Sequence, residues 1–177
     1  MKKDLATHFS FMVALFALVT VFKGWFALAY IPFWLGGIIG TLLPDIDHLI
    51  YAYVLKPHEV TSQRVASLIS QRQVGKTWDL IYSTRNERKD LVFHTAQFQL
   101  LFVVFAFFVI TSSGSLLGTG IVLAFSLHLL IDQVMDLTQT GNFEVWFEKF
   151  PFALDSEQKR YFLIANGIII LILGFIA

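Results

Sequence analysis

Long apolar runs separated by short polar connectors dominate the pattern along this chain. A membrane-spanning helix needs about 20 predominantly apolar residues. A segment in lipid must also satisfy its own backbone hydrogen bonds, which favours helix. Five stretches have the required character: 5–22, 25–50, 91–110, 115–137 and 161–177. The pattern therefore predicts an all-α, polytopic membrane helix bundle with about five transmembrane helices, forming a single domain over 1–177.

The connectors between the predicted spans differ in length and charge. Short links around Lys23 and at 111–114 lie on one side of the predicted bundle, whereas the N-terminus and two longer loops, about 53–90 and 138–160, lie on the other. Of the thirteen Lys and Arg residues, all except Lys23 belong to this second side. The positive-inside rule then predicts that the second side is cytoplasmic and that the C-terminus lies outside, in a plasma membrane of the bacterial inner-membrane type.

The longer of these loops carries a pattern of its own. Apolar positions from Val65 to Tyr82 alternate with basic residues at a spacing typical of one or two amphipathic helices on the membrane surface. A solvated loop with a single helical turn is the alternative.

Composition agrees with a membrane protein. The chain is 56% hydrophobic and 15% charged, against about a quarter charged residues in soluble domains. Zero net charge gives no electrostatic argument for nucleic acid, and the absence of Cys excludes disulfides, thiolate metal sites and Cys nucleophiles. Lys2, Lys3, the apolar run and Ala27-Leu28-Ala29 imitate a cleaved signal peptide. However, Lys23-Gly24 interrupts the apolar run, and the first stretch is already long enough to span.

Histidine and aspartate residues recur near the ends of four predicted spans. Odd-numbered spans start on the predicted cytoplasmic side and even-numbered spans end there, so these residues converge on one membrane face. They are His8, Asp45, Asp47, His48, His94, His128, Asp132 and Asp136. Ionisable residues inside spans are costly and tend to be functional, which makes this convergence the main functional prediction.

The spacing of these residues indicates a metal ion. His128 and Asp132 are four residues apart, and Asp45 and His48 three apart, so each pair shares a helix face. A divalent cation would neutralise the carboxylates and coordinate the imidazoles. The nitrogen and oxygen donors suit zinc best, with manganese or iron as alternatives, and one or two ions.

Single members of the set have other interpretations. His8 is also explained as a histidine near the lipid headgroups, Asp45 as the residue that terminates its helix, and His94 as a helix cap. Asp136 is better explained as a solvated helix end. His58, in the long loop, has no part in the predicted site.

Several motifs resemble the YdjM-like family of membrane-bound metal-dependent hydrolases. They are Thr7-His8, Leu-Pro-Asp-Ile-Asp-His at 43–48, Phe93-His94 and Leu-His-Leu-Leu-Ile-Asp at 127–132. The order of His and Asp is more distantly similar to zinc-dependent phospholipases C. The family usually has a basic, two-histidine stretch before its third span. Here 90–97 keeps one His and has no Arg, so substrate-binding details are not carried over.

The resemblance and the predicted site together imply a metal-dependent hydrolase at the cytoplasmic face. Its expected substrate is a phospholipid or another phosphate ester, and its expected partners are the bilayer and a lipid-linked substrate, without nucleic acid. The expected metal ligands are His8, Asp45, His48, His94, His128 and Asp132.

Further roles and two rival functions complete these expectations. Asp47 is the candidate catalytic base or bridging ligand. Arg85, Arg88 and Lys89 either attract an anionic head group or serve as topogenic charge.

The rival functions are a non-catalytic membrane subunit with a structural metal and a metal or proton transporter. The latter usually binds near the bilayer midplane between inverted repeats.

Overall fold

The computed structural model describes residues 2–84, 87–88, 90–141 and 143–177, and this part of the chain is all-helical. Eight α-helices occur in it, which we number α1 to α8, together with short 3-10 and π turns. The α-helices are Lys2–Lys23, Ile31–Leu42, Ile46–Ile50, Val60–Ser70, Val74–Ser83, Ala96–Ser112, Leu116–Met135 and Ser156–Ile176. The 3-10 turns are Leu28–Tyr30 and Glu144–Phe147, and the π turns are Tyr51–Leu55 and Asp136–Thr140. The all-α prediction is confirmed.

Among the described residues, four helical stretches are long and apolar enough to cross a membrane. They are Asp4–Lys23, Leu28–Leu55, Leu116–Gln139 and Ser156–Ile176. The remaining predicted span, α6, has 17 residues, or about 26 Å of helix, which is at the lower limit for a crossing. It begins beside the polar cluster described below, and its Val109 lies against Gly118 near the start of α7. Therefore α6 runs antiparallel to α7 over most of the bundle.

Helices α2 and α7 form the closest pair because glycines let their backbones touch. A side-chain carbon added at Gly120 would overlap the Phe33 carbonyl oxygen, and one at Gly40 would overlap that of Ile121. Small residues four apart, here Gly36 and Gly40, are typical of tight helix pairs in membranes. Phe16 of α1 packs on this pair, with its ring 4.2 Å from that of Phe33.

The second predicted span continues beyond Pro44, as expected, although not as a regular helix. Helix α2 ends at Leu42, a turn follows at Pro44, and α3 begins at Ile46. Proline lacks the N–H that a continuing helix would need at that position. The turn leads the chain directly into Asp45, Asp47 and His48.

The predicted amphipathic segments are two helices, α4 and α5, rather than a solvated loop. Val65 of α4 and Ile81 of α5 are each 1% exposed and pack with Ala52 beneath the α2–α3 region. The Tyr51 hydroxyl donates a hydrogen bond to Glu59 at 2.8 Å. Both helices therefore pack against the end of the second span.

The C-terminus lies at the end of the bundle opposite the polar cluster. Phe22 at the end of α1 packs against Phe175 at the end of α8, with ring centroids 4.7 Å apart. Because α1 starts near the cluster and α8 runs antiparallel to α7, Ala177 ends far from His8.

Candidate metal centre

Four separate segments bring their polar side chains to one end of the bundle. His8 comes from α1, Asp45 from the turn before α3, His94 from the segment before α6, and His128 and Asp132 from α7. Each of these five residues is at most 6% exposed. The convergence predicted from the order of spans is thus present in the structure.

Asp132 lies at the centre of the group. Its Oδ1 atom is 3.3 Å from His8 Nε2, and its Oδ2 atom is 3.0 Å from His94 Nε2 and 3.2 Å from His128 Nε2. The rings of His8 and His128 stack with centroids 4.0 Å apart. Three imidazoles therefore point their Nε2 atoms at one carboxylate.

Backbone carbonyls set the tautomers of two of these imidazoles. His8 Nδ1 is 2.8 Å from the Asp4 carbonyl oxygen, and His128 Nδ1 is 2.6 Å from that of Thr41. A carbonyl only accepts, so each Nδ1 carries a proton, and in the neutral ring each Nε2 has a lone pair. Among the residues that the structure describes, neither Nε2 makes a hydrogen bond of normal geometry. Two buried lone pairs facing a carboxylate repel unless a cation or proton lies between them.

His94 is held between two carboxylates. Its Nδ1 atom is 3.0 Å from Asp47 Oδ2, while its Nε2 atom faces Asp132. A carboxylate on the far nitrogen of a histidine is the usual arrangement behind a metal ligand, because it fixes the tautomer and the ring orientation. His94 therefore has the orientation expected of a further ligand.

Asp47 anchors the segment that precedes α6. Its Oδ1 atom accepts from the Val92 N–H at 3.0 Å, and its Oδ2 atom accepts from the N–H groups of Phe93 at 2.6 Å and His94 at 3.3 Å. The side chain is 0% exposed. These contacts favour a positioning role for Asp47, and its assignment as base or bridging ligand stays a prediction.

His48 stacks beside His94, with ring centroids 5.3 Å apart, and accepts a hydrogen bond from a buried arginine. Arg88 is 5% exposed and donates from Nε to His48 Nδ1 at 3.2 Å, from a terminal nitrogen to Thr84 Oγ1 at 2.9 Å, and to the Ile81 carbonyl. Since His48 Nδ1 accepts, the proton of a neutral ring is on Nε2. His48 therefore does not offer Nε2 as a ligand in this arrangement, and its ligand role stays a prediction.

Arg88 is not the exposed head-group contact that the basic run suggested, because it is buried against His48. Arg85 and Lys89, the other two members of that run, lie outside the described residues. A buried arginine was missed because a basic residue before a span is ordinarily topogenic.

Asp45 links the group to α5. Its Oδ1 atom is 3.8 Å from His128 Nε2, and its Oδ2 atom accepts from the Tyr82 hydroxyl at 3.1 Å. Burial and the nearby Asp45 carboxylate raise the pKa of Tyr82 above its ordinary value, so the phenol stays protonated and donates. Asp45 therefore lies between His128 and Tyr82 at the edge of the group.

Asp136 lies outside the group. Its Oδ2 atom accepts from Trp146 Nε1 at 2.8 Å, and the Trp146 ring lies 5.6 Å from that of His94. This placement agrees with the preference for Asp136 as a residue outside the ligand set. Trp146 was not anticipated, since an aromatic residue in a loop gives no signal of its own.

The donor group could hold a metal ion. Ligand atoms of His8, His128 and Asp132 all lie within 4.8 Å of one another. The two carboxylate oxygens of Asp132 lie 3.3 Å from His8 Nε2 and 3.2 Å from His128 Nε2. The prediction of a metal site is supported for these three residues, and the identity of the metal stays a prediction.

No family model, curated protein or solved structure matches this chain. The comparisons therefore leave the resemblance to the YdjM-like family as a prediction. What the chain defines by its own structure is a multi-pass helical membrane protein with a buried group of histidines and an aspartate that could hold a metal ion.

Proposed function

We propose that this protein is a membrane-bound, metal-dependent hydrolase that acts on a phospholipid or another phosphate ester at the cytoplasmic membrane face. The observation that carries the proposal is the pair of buried Nε2 atoms of His8 and His128, which in the neutral rings face the Asp132 carboxylate with lone pairs at 3.3 and 3.2 Å. Such lone pairs are expensive to bury unless something binds them. A divalent cation satisfies both nitrogens and neutralises the carboxylate.

The proposed chemistry assigns a role to each neighbouring side chain. His8, His128 and Asp132 would hold the ion, and His94, with its ring oriented by Asp47, would join them. A divalent cation bound there would supply a Lewis acid for an ester and for a water molecule. Asp45, which accepts a hydrogen bond from Tyr82 and lies 3.8 Å from His128 Nε2, would accept the proton of the attacking water.

The cytoplasmic location is part of the proposal. The cluster, the start of α1 and the α4–α5 layer lie at the same end of the bundle, and the Lys and Arg residues that the structure describes, apart from Lys23, belong to segments at that end. The positive-inside rule assigns that end to the cytoplasm of a bacterial plasma membrane.

A structural metal site in a non-catalytic subunit is a second candidate. It is favoured by the depth of the three ligands, since His8, His128 and Asp132 are 3%, 2% and 3% exposed. In that case the metal would join α1 to α7 and stabilise the bundle without turnover.

The first test measures metal content in protein purified in mild detergent without chelators, by elemental mass spectrometry. Wild type is compared with His128→Ala and Asp132→Ala, and with His58→Ala as a matched control, because His58 is exposed in the connector before α4. We expect about one zinc or manganese per chain in wild type and the control, and loss in both site variants. No stoichiometric metal in wild type would refute the metallohydrolase proposal.

The second test separates the two candidates. The metal-loaded protein is assayed for phosphate release from phosphate monoesters and for cleavage of phospholipids in vesicles. Turnover that disappears in Asp132→Ala supports the hydrolase. Metal binding that raises the melting temperature without any turnover favours the structural role.

A further inference from the structure

A groove of about 570 Å³ lies beside the candidate metal centre. Leu5 of α1, Ile39 and Leu42 of α2, and Trp78 of α5 contribute to its wall, which consists mainly of apolar side chains. Asp45 and Tyr82 also line it and add a carboxylate and a phenol. Binding sites for organic ligands commonly combine such an apolar wall with a few polar groups, in volumes of about 300–1,000 Å³.

The groove opens onto the lipid-facing surface of the bundle. Ile39 and Leu42 are 43% and 44% exposed, and they continue a row of exposed apolar residues on α2 that includes Leu35 and Ile38. In a membrane, this surface is covered by hydrocarbon chains. A chain from the bilayer can therefore enter the groove sideways without crossing water.

The polar wall of the groove borders the metal centre. Asp45 offers one carboxylate oxygen to the Tyr82 hydroxyl, while the other is 3.8 Å from His128 Nε2. A molecule with its hydrocarbon part in the groove thus has its polar part beside Asp45 and the imidazoles.

Two other grooves on the bundle lack this combination. One is lined by apolar residues of α1, α7 and α8, the other by apolar residues of α6 and α8. Neither has a charged side chain in its wall. Both are suited to contact with the surrounding lipid. The groove at Asp45 has an apolar wall and, beside it, the carboxylate of Asp45 and the phenol of Tyr82.

We propose that the groove between α1, α2 and α5 binds an acyl chain of a bilayer phospholipid and presents the polar part of that lipid to Asp45, Tyr82 and the metal centre. This inference names a membrane lipid as the substrate of the proposed hydrolase. Hydrolysis of that lipid rests on the proposed function. The binding of the chain does not require turnover and is tested without it.

The test uses proteoliposomes of phosphatidylethanolamine and phosphatidylglycerol that contain a trace of phosphatidylglycerol with a diazirine in one acyl chain. After illumination, cross-linked peptides are identified by mass spectrometry in wild type, Leu42→Trp and Leu35→Trp. Both substitutions add an indole to an exposed leucine of α2, but only Leu42 lines the groove. Ile39→Trp fills the same groove and replaces Leu42→Trp if that variant is unstable.

We expect cross-links to the α5 peptide that contains Trp78, reduced about tenfold in Leu42→Trp and unchanged in Leu35→Trp. Equal cross-linking of α5 in all three proteins would overturn the inference. Metal content and hydrolysis are measured on the same samples. Groove-dependent cross-linking in a protein that binds no metal and cleaves no ester would support the lipid site and refute the hydrolase.

Discussion

Replacement of Asp132 by asparagine distinguishes a metal centre from a cluster held together by protons. The asparagine amide has the same shape as the carboxylate but no charge, and its nitrogen can donate two hydrogen bonds. If that nitrogen takes the place of Oδ2, it faces His94 Nε2 and His128 Nε2, which lie 3.0 and 3.2 Å from the oxygen. In the metal-free protein, the substitution therefore replaces repulsion with attraction.

The expected magnitude follows from these contacts. Each new hydrogen bond contributes about 0.5–1.5 kcal/mol, so Asp132→Asn stabilises the metal-free protein by about 1–3 kcal/mol. For a chain of this length that raises the melting temperature by about 2–12 °C. Zinc at about 1,000 times its Kd stabilises wild type by about 4.1 kcal/mol, or about 8–16 °C. The variant should lose that gain because it lacks the charged ligand.

The assay is thermal unfolding in detergent at about pH 8, where free imidazoles are mostly neutral, with chelator or with added zinc. We expect the order of stability to reverse, with the variant above wild type in chelator and below it in zinc. A clear fall in melting temperature for Asp132→Asn in chelator would refute this reasoning. It would mean that imidazolium–carboxylate pairs hold the cluster and that the Nε2 lone pairs carry protons.

Other predictions concern the support of the site and the bundle. Asp47→Asn should weaken zinc binding about 10–100-fold through loss of His94 orientation, as measured by chelator competition, while unchanged affinity would exclude this role. Zinc affinity should fall from about pH 8 to pH 6, because imidazole ligands must lose their protons; a flat calorimetric profile would contradict histidine ligation. Gly120→Ala should destabilise by about 1–3 kcal/mol in thermal unfolding. Gly75→Ala, in open space, is its control, and equal melting would contradict the α2–α7 contact.

The sequence predicted the parts of this structure that depend on periodicity and span order. His8, His128 and Asp132 were found because alternating spans return to the same face and a four-residue spacing aligns side chains on a helix. Asp45 and His94 followed from their positions at the ends of apolar runs. These properties depend on the backbone repeat of a helix and require no knowledge of packing.

The partners of these residues could not be predicted in the same way. The Thr41 carbonyl accepts a hydrogen bond from His128 because α2 ends at Leu42. The pattern of side chains does not indicate which backbone carbonyl lacks a partner in its own helix and can accept from another. In the sequence, Arg88 has the pattern of a solvated loop residue. Its burial follows from hydrogen bonds to Ile81 and Thr84, which only the structure shows. Helix α6 starts at Ala96 rather than at residue 91 because Asp47 holds the preceding N–H groups.

The glycine contact between α2 and α7 determines which parts of this molecule can move. Those two backbones touch, so sliding or parting them would separate His128 from the Thr41 carbonyl and expose polar groups to hydrocarbon. Helix α5, by contrast, rests on a small patch around Ile81 and is tied to the centre through Tyr82 and Asp45. The α2–α7 pair is therefore the close-packed frame of the bundle, whereas α5 is joined to the centre through the Tyr82 hydroxyl and Asp45.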